Sequence, residues 1–276
     1  MKQEIWTEDY TVNTLVLNPR KRLGFLGLLS ILQDVAWLHA DHLGHSYEDL
    51  IRQGAIWVLG RQKLLMTGWP SWGDEITVRT WIRPIDGLFI HRDYEILSGG
   101  RKLGEGVASW LTVNVRTRRL MKMTFSGDDL AFRSDSGVLT MTPGRVDPPS
   151  GLGELSRFQV RNSDLDVNGH VNNVHYAQWV VDALPADLVR RIEIMGYEAN
   201  FLSEVNLGDE VTIEGDLPGK DGPVAEPAAL SAPVPFVGRR KSDTKPVFSA
   251  LLQWRALEKA GDGTPGSGDP GLGSFK

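Results

Sequence analysis

The 276-residue chain contains no cysteine. That absence excludes disulfides, cysteine-ligated metal sites and any thiol nucleophile. The chain also lacks an uninterrupted apolar run of the length a membrane-crossing helix needs. Its N-terminus, Met1 to Trp6, has neither the apolar core of a signal peptide nor the character of a transit peptide. A cytoplasmic protein is therefore expected. Positive charge is not in excess: 30 Lys and Arg stand against 35 Asp and Glu, a net charge of −5. General nucleic-acid binding, which rests on a basic footprint, is not expected of such a chain. The apolar fraction, 41%, is enough for the core of one large or two small folded units.

The richest chemistry lies in Asp164-Leu165-Asp166-Val167-Asn168-Gly169-His170-Val171-Asn172-Asn173. Two carboxylates, an imidazole and three carboxamides share ten residues, directly before a helix-spaced apolar stretch. Burying so many polar groups is unfavourable unless each finds a partner. Asp166, Asn168 and His170 alternate, so in an extended segment their side chains share a side. A helix N-terminus adds backbone N–H groups that can hold an oxyanion. A carboxylate can orient the imidazole, accept a proton or attack an acyl carbon. These are the parts of an acyl-transfer or hydrolysis site. Helix capping is the competing reading, because Asp and Asn favour caps and turns. It accounts for one or two of these residues but not for His170 among them.

The pattern along the chain predicts an α+β protein built twice. Ile5 to Val16 reads as a strand and Leu23 to Leu43 as a long, mostly buried helix stopped by Gly44. Asp34 inside that helix is expected to be a hydrogen-bonded core carboxylate. An antiparallel meander of four strands follows: Ala55 to Met66, Glu75 to Ile82, Leu88 to Leu97 and Gly106 to Val115. In the second half a short strand (Arg157 to Val160), a helix (Val171 to Leu184) and strands at Ile192 to Leu202, Glu210 to Gly215 and Phe248 to Leu257 repeat the order. The letters repeat as well: Gly73-Asp74-Glu75-Ile76-Thr77-Val78 returns as Gly208-Asp209-Glu210-Val211-Thr212-Ile213. The expected organisation is an N-terminal half over residues 1–125, a linker over 126–156, a C-terminal half over 157–259 and a disordered tail over 260–276. Leu217 to Pro235 reads as an Ala/Pro-rich loop inserted in the second half. Two antiparallel sheets, each wrapped around a long helix and paired edge to edge, form a tandem double hotdog.

The run from Asp164 to Trp179 closely resembles the signature of acyl-acyl-carrier-protein thioesterases, the plant plastid type and its bacterial relatives. Trp69 to Trp81, His91-Arg92-Asp93-Tyr94, and Ala108 to Asn114 running into Thr117-Arg118-Arg119-Leu120 resemble the first half of that family. The resemblance implies a double hotdog fold and a thioester hydrolase that releases a free fatty acid from acyl carrier protein without a cofactor. It places the family's catalytic Asp, Asn and His on Asp166, Asn168 and His170. The family's catalytic Glu falls, by its spacing, on Glu204. Plant members usually carry a cysteine beside this Glu. Here the position is Val205, so the chemistry must run on carboxylates and imidazole. Two neighbouring carboxylates can divide into an acid and a base, and the sequence leaves open which of Asp166 and Glu204 attacks or activates water.

The family holds the acyl chain in its N-terminal half, which makes Ile31, Val35, Trp37, Ile56 and Trp57 candidate tunnel residues, with Asn172 and Asn173 near the reacting end. Ordinary core packing is the competing reading for each apolar one. The basic cluster Arg116, Arg118, Arg119 and Lys122 is a candidate docking patch for acidic acyl carrier protein, and Arg239-Arg240-Lys241 forms a second cluster. The competing reading of such runs is a solvated face. His39, His42 and His45 drift around a helix end, so no metal site is expected and helix polarity or surface exposure is. An acyl-CoA thioesterase of the same fold and a non-catalytic acyl-thioester sensor are the alternative functions. A homodimer is compatible with the sequence.

Overall fold

Ten strands form one continuous antiparallel sheet in the computed structural model, which describes residues 2–85, 87–122, 127–133, 139, 141–217 and 230–257. In chain order, β1 (Trp6–Thr11) leads to α1 (Phe25–His42), the short α2 (Tyr47–Arg52), β2 (Ala55–Met66), β3 (Glu75–Ile82), β4 (Ile90–Ser98) and β5 (Arg101–Asn114). After α3 (Gly127–Leu130) come β6 (Gly153–Gln159), α4 (Asn173–Asp182), α5 (Ala186–Arg191), β7 (Ile192–Phe201), β8 (Glu210–Gly215), β9 (Val234–Arg240) and β10 (Pro246–Ala256). The spatial order is β1-β3-β4-β5-β2-β7-β10-β9-β8-β6. Read outward from the centre, the two halves have the same order, related by a pseudo-two-fold at the β2–β7 seam.

The duplication extends to individual hydrogen bonds. Asp74 accepts the Ser71 N–H at 2.8 Å, and Asp209 accepts the Asn206 N–H at 2.9 Å. Val12 N–H bonds Asp74 O and Val160 N–H bonds Asp209 O, both at 2.9 Å. The glycine before each aspartate takes a left-handed φ, 87° at Gly73 and 86° at Gly208, which a side chain would disfavour.

The second half has five strands rather than the four expected. The expected edge-to-edge pairing of the two halves is made by β2 and β7, from Arg61↔Asn200 to Leu65↔Gly196. This hides the two edges that would otherwise be open. Lys63 and Glu198 form an ion pair across the seam at 2.8 Å. On the sheet face away from the helices, the stretch 141–150 crosses the seam: Asn200 donates to Gly144 O and accepts from Val146 N, and Ser249 donates to Val146 O. Buried polar groups on that face are satisfied in this way. Arg20 ties the first half to the second by donating to the carbonyls of Val189 and Arg190 in the last turn of α5 and of Ile192 at the start of β7.

Helix α1 follows the 3.6-residue period. Leu28, Leu32, Val35 and His39 fall on one stripe and are buried. Tyr176, Ala177 and Val180 of α4 join Leu28, Leu32 and Val35 in a single core that also takes Tyr94, Tyr197, Phe236 and Phe248 from the sheet, and α1 touches α4. A smaller cluster of Leu43, Ile82, Ile90 and Leu130 sits beyond the end of α1.

Several expectations are corrected. Asp34 is exposed and accepts the Tyr10 hydroxyl at 3.0 Å rather than lying in the core. His39 is fully buried rather than a surface group. Its Nε2 lies 3.1 Å from Gln3 O and its Nδ1 accepts from Arg92 at 2.7 Å. The second helix is short, and β6 begins at Gly153, inside the stretch expected as linker. Strand β9 was not anticipated; it starts at Val234, within the expected Ala/Pro-rich loop. Most of that loop, and the tail expected beyond 259, lie outside the described residues. Among the described residues no helix is long and apolar enough to cross a membrane.

Candidate active site

The signature run folds as a 3-10 turn at Asn162–Asp164 and a tight loop that re-enters α4. Asp166 N–H bonds His170 O at 2.7 Å, and Gly169 N–H bonds Asp166 O at 3.0 Å. Gly169 carries the turn with φ 74°, a left-handed conformation open to glycine at little steric penalty. The Asp166 carboxylate accepts from three donors of its own loop: Asn168 N–H (2.8 Å), His170 N–H (3.3 Å) and Asn168 Nδ2 (3.4 Å). Asn172 is the helix N-cap, its carboxamide oxygen accepting Val174 N–H at 3.0 Å. Asp164 is likewise structural, accepting Arg161 N–H at 2.8 Å.

Glu204 arrives from the segment after β7. One backbone bond, Val171 N–H to Val205 O at 3.2 Å, ties the two segments together. It leaves the residue before Val171 and the residue before Val205 side by side. His170 Nε2 lies 3.5 Å from Glu204 Oε2, an electrostatic contact too long for a good hydrogen bond. Arg240 Nη1 donates to the Glu204 carbonyl at 3.0 Å and fixes its backbone. Buried Tyr176 lies beneath: burial raises its pKa, and the charges of Asp166 and Glu204 push it the same way.

One residue placed elsewhere by sequence reasoning belongs to this cluster. Arg118, expected with Arg116, Arg119 and Lys122 in a docking patch, turns its guanidinium into the site. Nη2 donates to His170 Nε2 at 3.0 Å and pairs with Glu204 Oε1. The signal in the sequence was Asn114. Its side chain accepts from Arg116 N and Thr117 N, which makes 114–119 a tight turn and sets one cation apart from the run. Arg116, Arg119 and Lys122 are exposed. In the second basic cluster Arg239 pairs with Glu214, Arg240 with Asp243 and Lys241 with Glu210.

A cavity of about 400 Å³ opens from this cluster into the N-terminal half. Asp166, Asn168, His170 and Glu204 line one part, together with Asn172 and Asn173. Trp37, Ile56 and Trp57 line the remainder with Ala36, Ala40, Leu43, Leu50, Ile82 and Ile90. Ile31 and Val35 do not face it. They are buried on other sides of α1, because the 100° step per residue that turns Gln33, Ala36, Trp37 and Ala40 to the cavity turns those two away. The inner wall also carries Arg92, 5% exposed, bonded to His39 Nδ1 and Thr80 Oγ1. Among the described residues no group of His, Asp or Glu is arranged to hold a metal ion.

One ten-stranded sheet packed on α1 and α4, with a polar cluster at the mouth of a largely apolar cavity, defines a tandem double hotdog protein. Residues 3–127 match the family model for the acyl-ACP thioesterase N-terminal domain, and residues 151–226 match that for the C-terminal domain. The chain belongs to the acyl-ACP thioesterase family. It is 24% identical over 240 residues to oleoyl-acyl carrier protein thioesterase 1 of Arabidopsis thaliana, covering 79% of this chain and 66% of that one. The palmitoyl-acyl carrier protein thioesterase of the same plant is 24% identical over 218 residues, covering 72% and 52% respectively. The chain thus spans about half to two thirds of these curated relatives. Among solved structures, an acyl-ACP thioesterase from Bacteroides thetaiotaomicron superposes with a TM-score of 0.78 at 21% identity, covering 91% of this chain and 98% of that one. The 12:0-ACP thioesterase from Umbellularia californica also gives 0.78, at 19% identity, covering 93% and 99%. At these identities the superpositions speak for the fold.

Proposed function

We propose that the protein hydrolyses the thioester of fatty acyl-acyl-carrier protein to a free fatty acid and the carrier. The observation that carries this reading is the joining of Asp166, Asn168, His170 and Glu204 to one end of an apolar cavity. The alkyl chain lies in the cavity, and the thioester carbonyl sits at its mouth. Glu204 is the reacting carboxylate. The Asp166 oxygens are engaged by their own loop, whereas Glu204 is 44% exposed at the mouth, beside His170. Glu204 takes a proton from water, and the water oxygen bonds to the carbonyl carbon. The C–S bond then breaks, and Glu204 gives its proton to the leaving sulfur, with His170 beside it orienting the carboxylate. The second hydrogen of the Asn168 side-chain amide, which Asp166 does not use, holds the carbonyl oxygen as it gains charge. Asp166 orders the loop that presents Asn168 and His170.

Exposed Arg116, Arg119 and Lys122 lie within four residues of Arg118, whose side chain reaches His170 and Glu204, and are the carrier-docking residues of this reading, steering an acidic partner. Thiol release is measured on acyl-carrier protein and acyl-CoA series side by side. Glu204→Gln is expected to lower kcat by about a hundredfold or more, and near-normal turnover in that variant overturns the assignment. Charge reversal at Arg116 and Arg119 is expected to weaken activity on the carrier substrate and spare acyl-CoA. Equal loss on both, or tight binding with no thiol release, argues for the acyl-CoA enzyme or the sensor instead.

A further inference from the structure

We propose that Arg118 is a positioning residue of the reaction, supplied by the N-terminal half to a site otherwise built by the C-terminal half. This rests on the site assignment above. A guanidinium can only donate. Its Nη2 bonds His170 Nε2 at 3.0 Å and also pairs with Glu204 Oε1. Nε2 is therefore the acceptor, and the ring proton sits on Nδ1. Arg118 thus does two things at once. It selects the His170 tautomer, and it holds the Glu204 carboxylate beside a ring that it does not itself hydrogen-bond.

The backbone is built for this placement. Arg118 has φ 56°, in the left-handed region that a residue with a side chain rarely adopts. The turn holds it there: Arg118 N–H bonds Asn114 O and Asn114 N–H bonds Arg119 O, both at 2.9 Å. Strain of this kind persists where surrounding structure enforces it, often at functional sites. Folding stability offers no comparable reason for the arrangement. Arg118 and Glu204 are 37% and 44% exposed, and ion pairs so open to solvent contribute little to folding. Lysine is a partial replacement only: both contacts come from the one terminal nitrogen Nη2, and an ammonium on a flexible stem supplies the charge without the fixed planar orientation of the guanidinium. The duplicated fold therefore has a division of labour: the second half carries the reacting groups, and the first half carries both the cavity and the cation that orients them.

The test uses Arg118→Gly in the full chain. Glycine accepts the left-handed φ, so the turn is relieved rather than broken, and the removed side chain leaves room for free guanidinium. On acyl-carrier-protein substrate kcat is expected to fall about a hundredfold with KM within about threefold, consistent with loss of transition-state stabilisation. Added guanidinium is expected to restore kcat about tenfold in Arg118→Gly and not at all in Glu204→Gln. Arg118→Lys is expected to recover only part of the rate. A raised KM with unchanged kcat would instead make Arg118 a docking cation and overturn the proposal, as would lost activity with no guanidinium rescue in a folded variant. A second readout does not depend on hydrolysis. Nitrogen-15 spectra of the His170 ring should show protonated Nδ1 in the parent protein and a changed tautomer balance in Arg118→Gly. A parent ring protonated on Nε2 overturns the proposal even if thiol release is robust. The expected spectra without any thiol release would count against the hydrolytic function and leave standing only the placement of the His170 proton by Arg118.

Discussion

His39 makes stability depend on pH in a window where few other groups titrate. The ring is fully buried, its Nδ1 accepting from Arg92 at 2.7 Å and its Nε2 donating to Gln3 O at 3.1 Å. Burial, and then the Arg92 charge, push its pKa from the ordinary 6.5 down to about 3. Below the ordinary value the unfolded chain takes up a proton that the folded chain refuses. The contribution to stability is therefore complete above about pH 6.5 and is lost as pH falls towards about 3. Each pH unit in that window removes up to about 1.4 kcal/mol. From about pH 7.5 to about pH 5 the loss is about 2 kcal/mol. His45, also lowered by burial, adds a loss of the same sign, so the comparison must be made with His39→Gln. Glutamine offers an amide N–H and a carbonyl for the same two partners but does not titrate. Carboxylates held down by their partners, such as Asp243 at about 2 beside Arg240, lose their contribution at more acidic pH. Urea unfolding followed by the fluorescence of the nine tryptophans measures both proteins across the window. The stability gap between parent and variant is expected to shrink by about 2 kcal/mol on acidification to about pH 5. An identical pH slope in the two proteins would refute the reasoning.

Two further substitutions probe the loop and the cavity. Gly169→Ala meets no atom within 4 Å, but the backbone stays at φ 74°, so it is expected to destabilise by about 1–2 kcal/mol and to lower kcat/KM by disturbing Asn168 and His170; unchanged thermal unfolding would contradict the strain argument. Ala40→Phe projects into the cavity and is expected to reduce kcat/KM for the longest acyl chains at least about tenfold, about 1.4 kcal/mol, while sparing short ones; equal loss at every chain length in a substrate series would show that the chain does not lie there.

Much of the fold is legible in the sequence. The stripe Leu28, Leu32, Val35 has the helical period, and the repeated Gly-Asp turn marks the duplication down to its hydrogen bonds. Strand β9 was hidden because its start abuts an Ala/Pro-rich stretch that lacks strand alternation. Asp34 and His39 differ from expectation for one reason: a helix wheel says which side a residue faces, not what covers that side. Tyr10 reaches Asp34 at the surface, while Arg92 and Gln3 enclose His39.

The site divides along the same line. The residue types at Asp166, Asn168 and His170, the absence of cysteine and the order of elements are properties of the sequence alone, because local spacing sets which side chains share a turn. The meeting of His170 with Glu204 depends on the Val171–Val205 backbone bond, and the arrival of Arg118 depends on a left-handed turn in the other half. Ile31 and Val35 left the candidate cavity and Ala36 and Ala40 entered it once packing chose the face of α1. Contacts between residues far apart in sequence are decided by how two halves close on one sheet, and only the tertiary structure contains that closure.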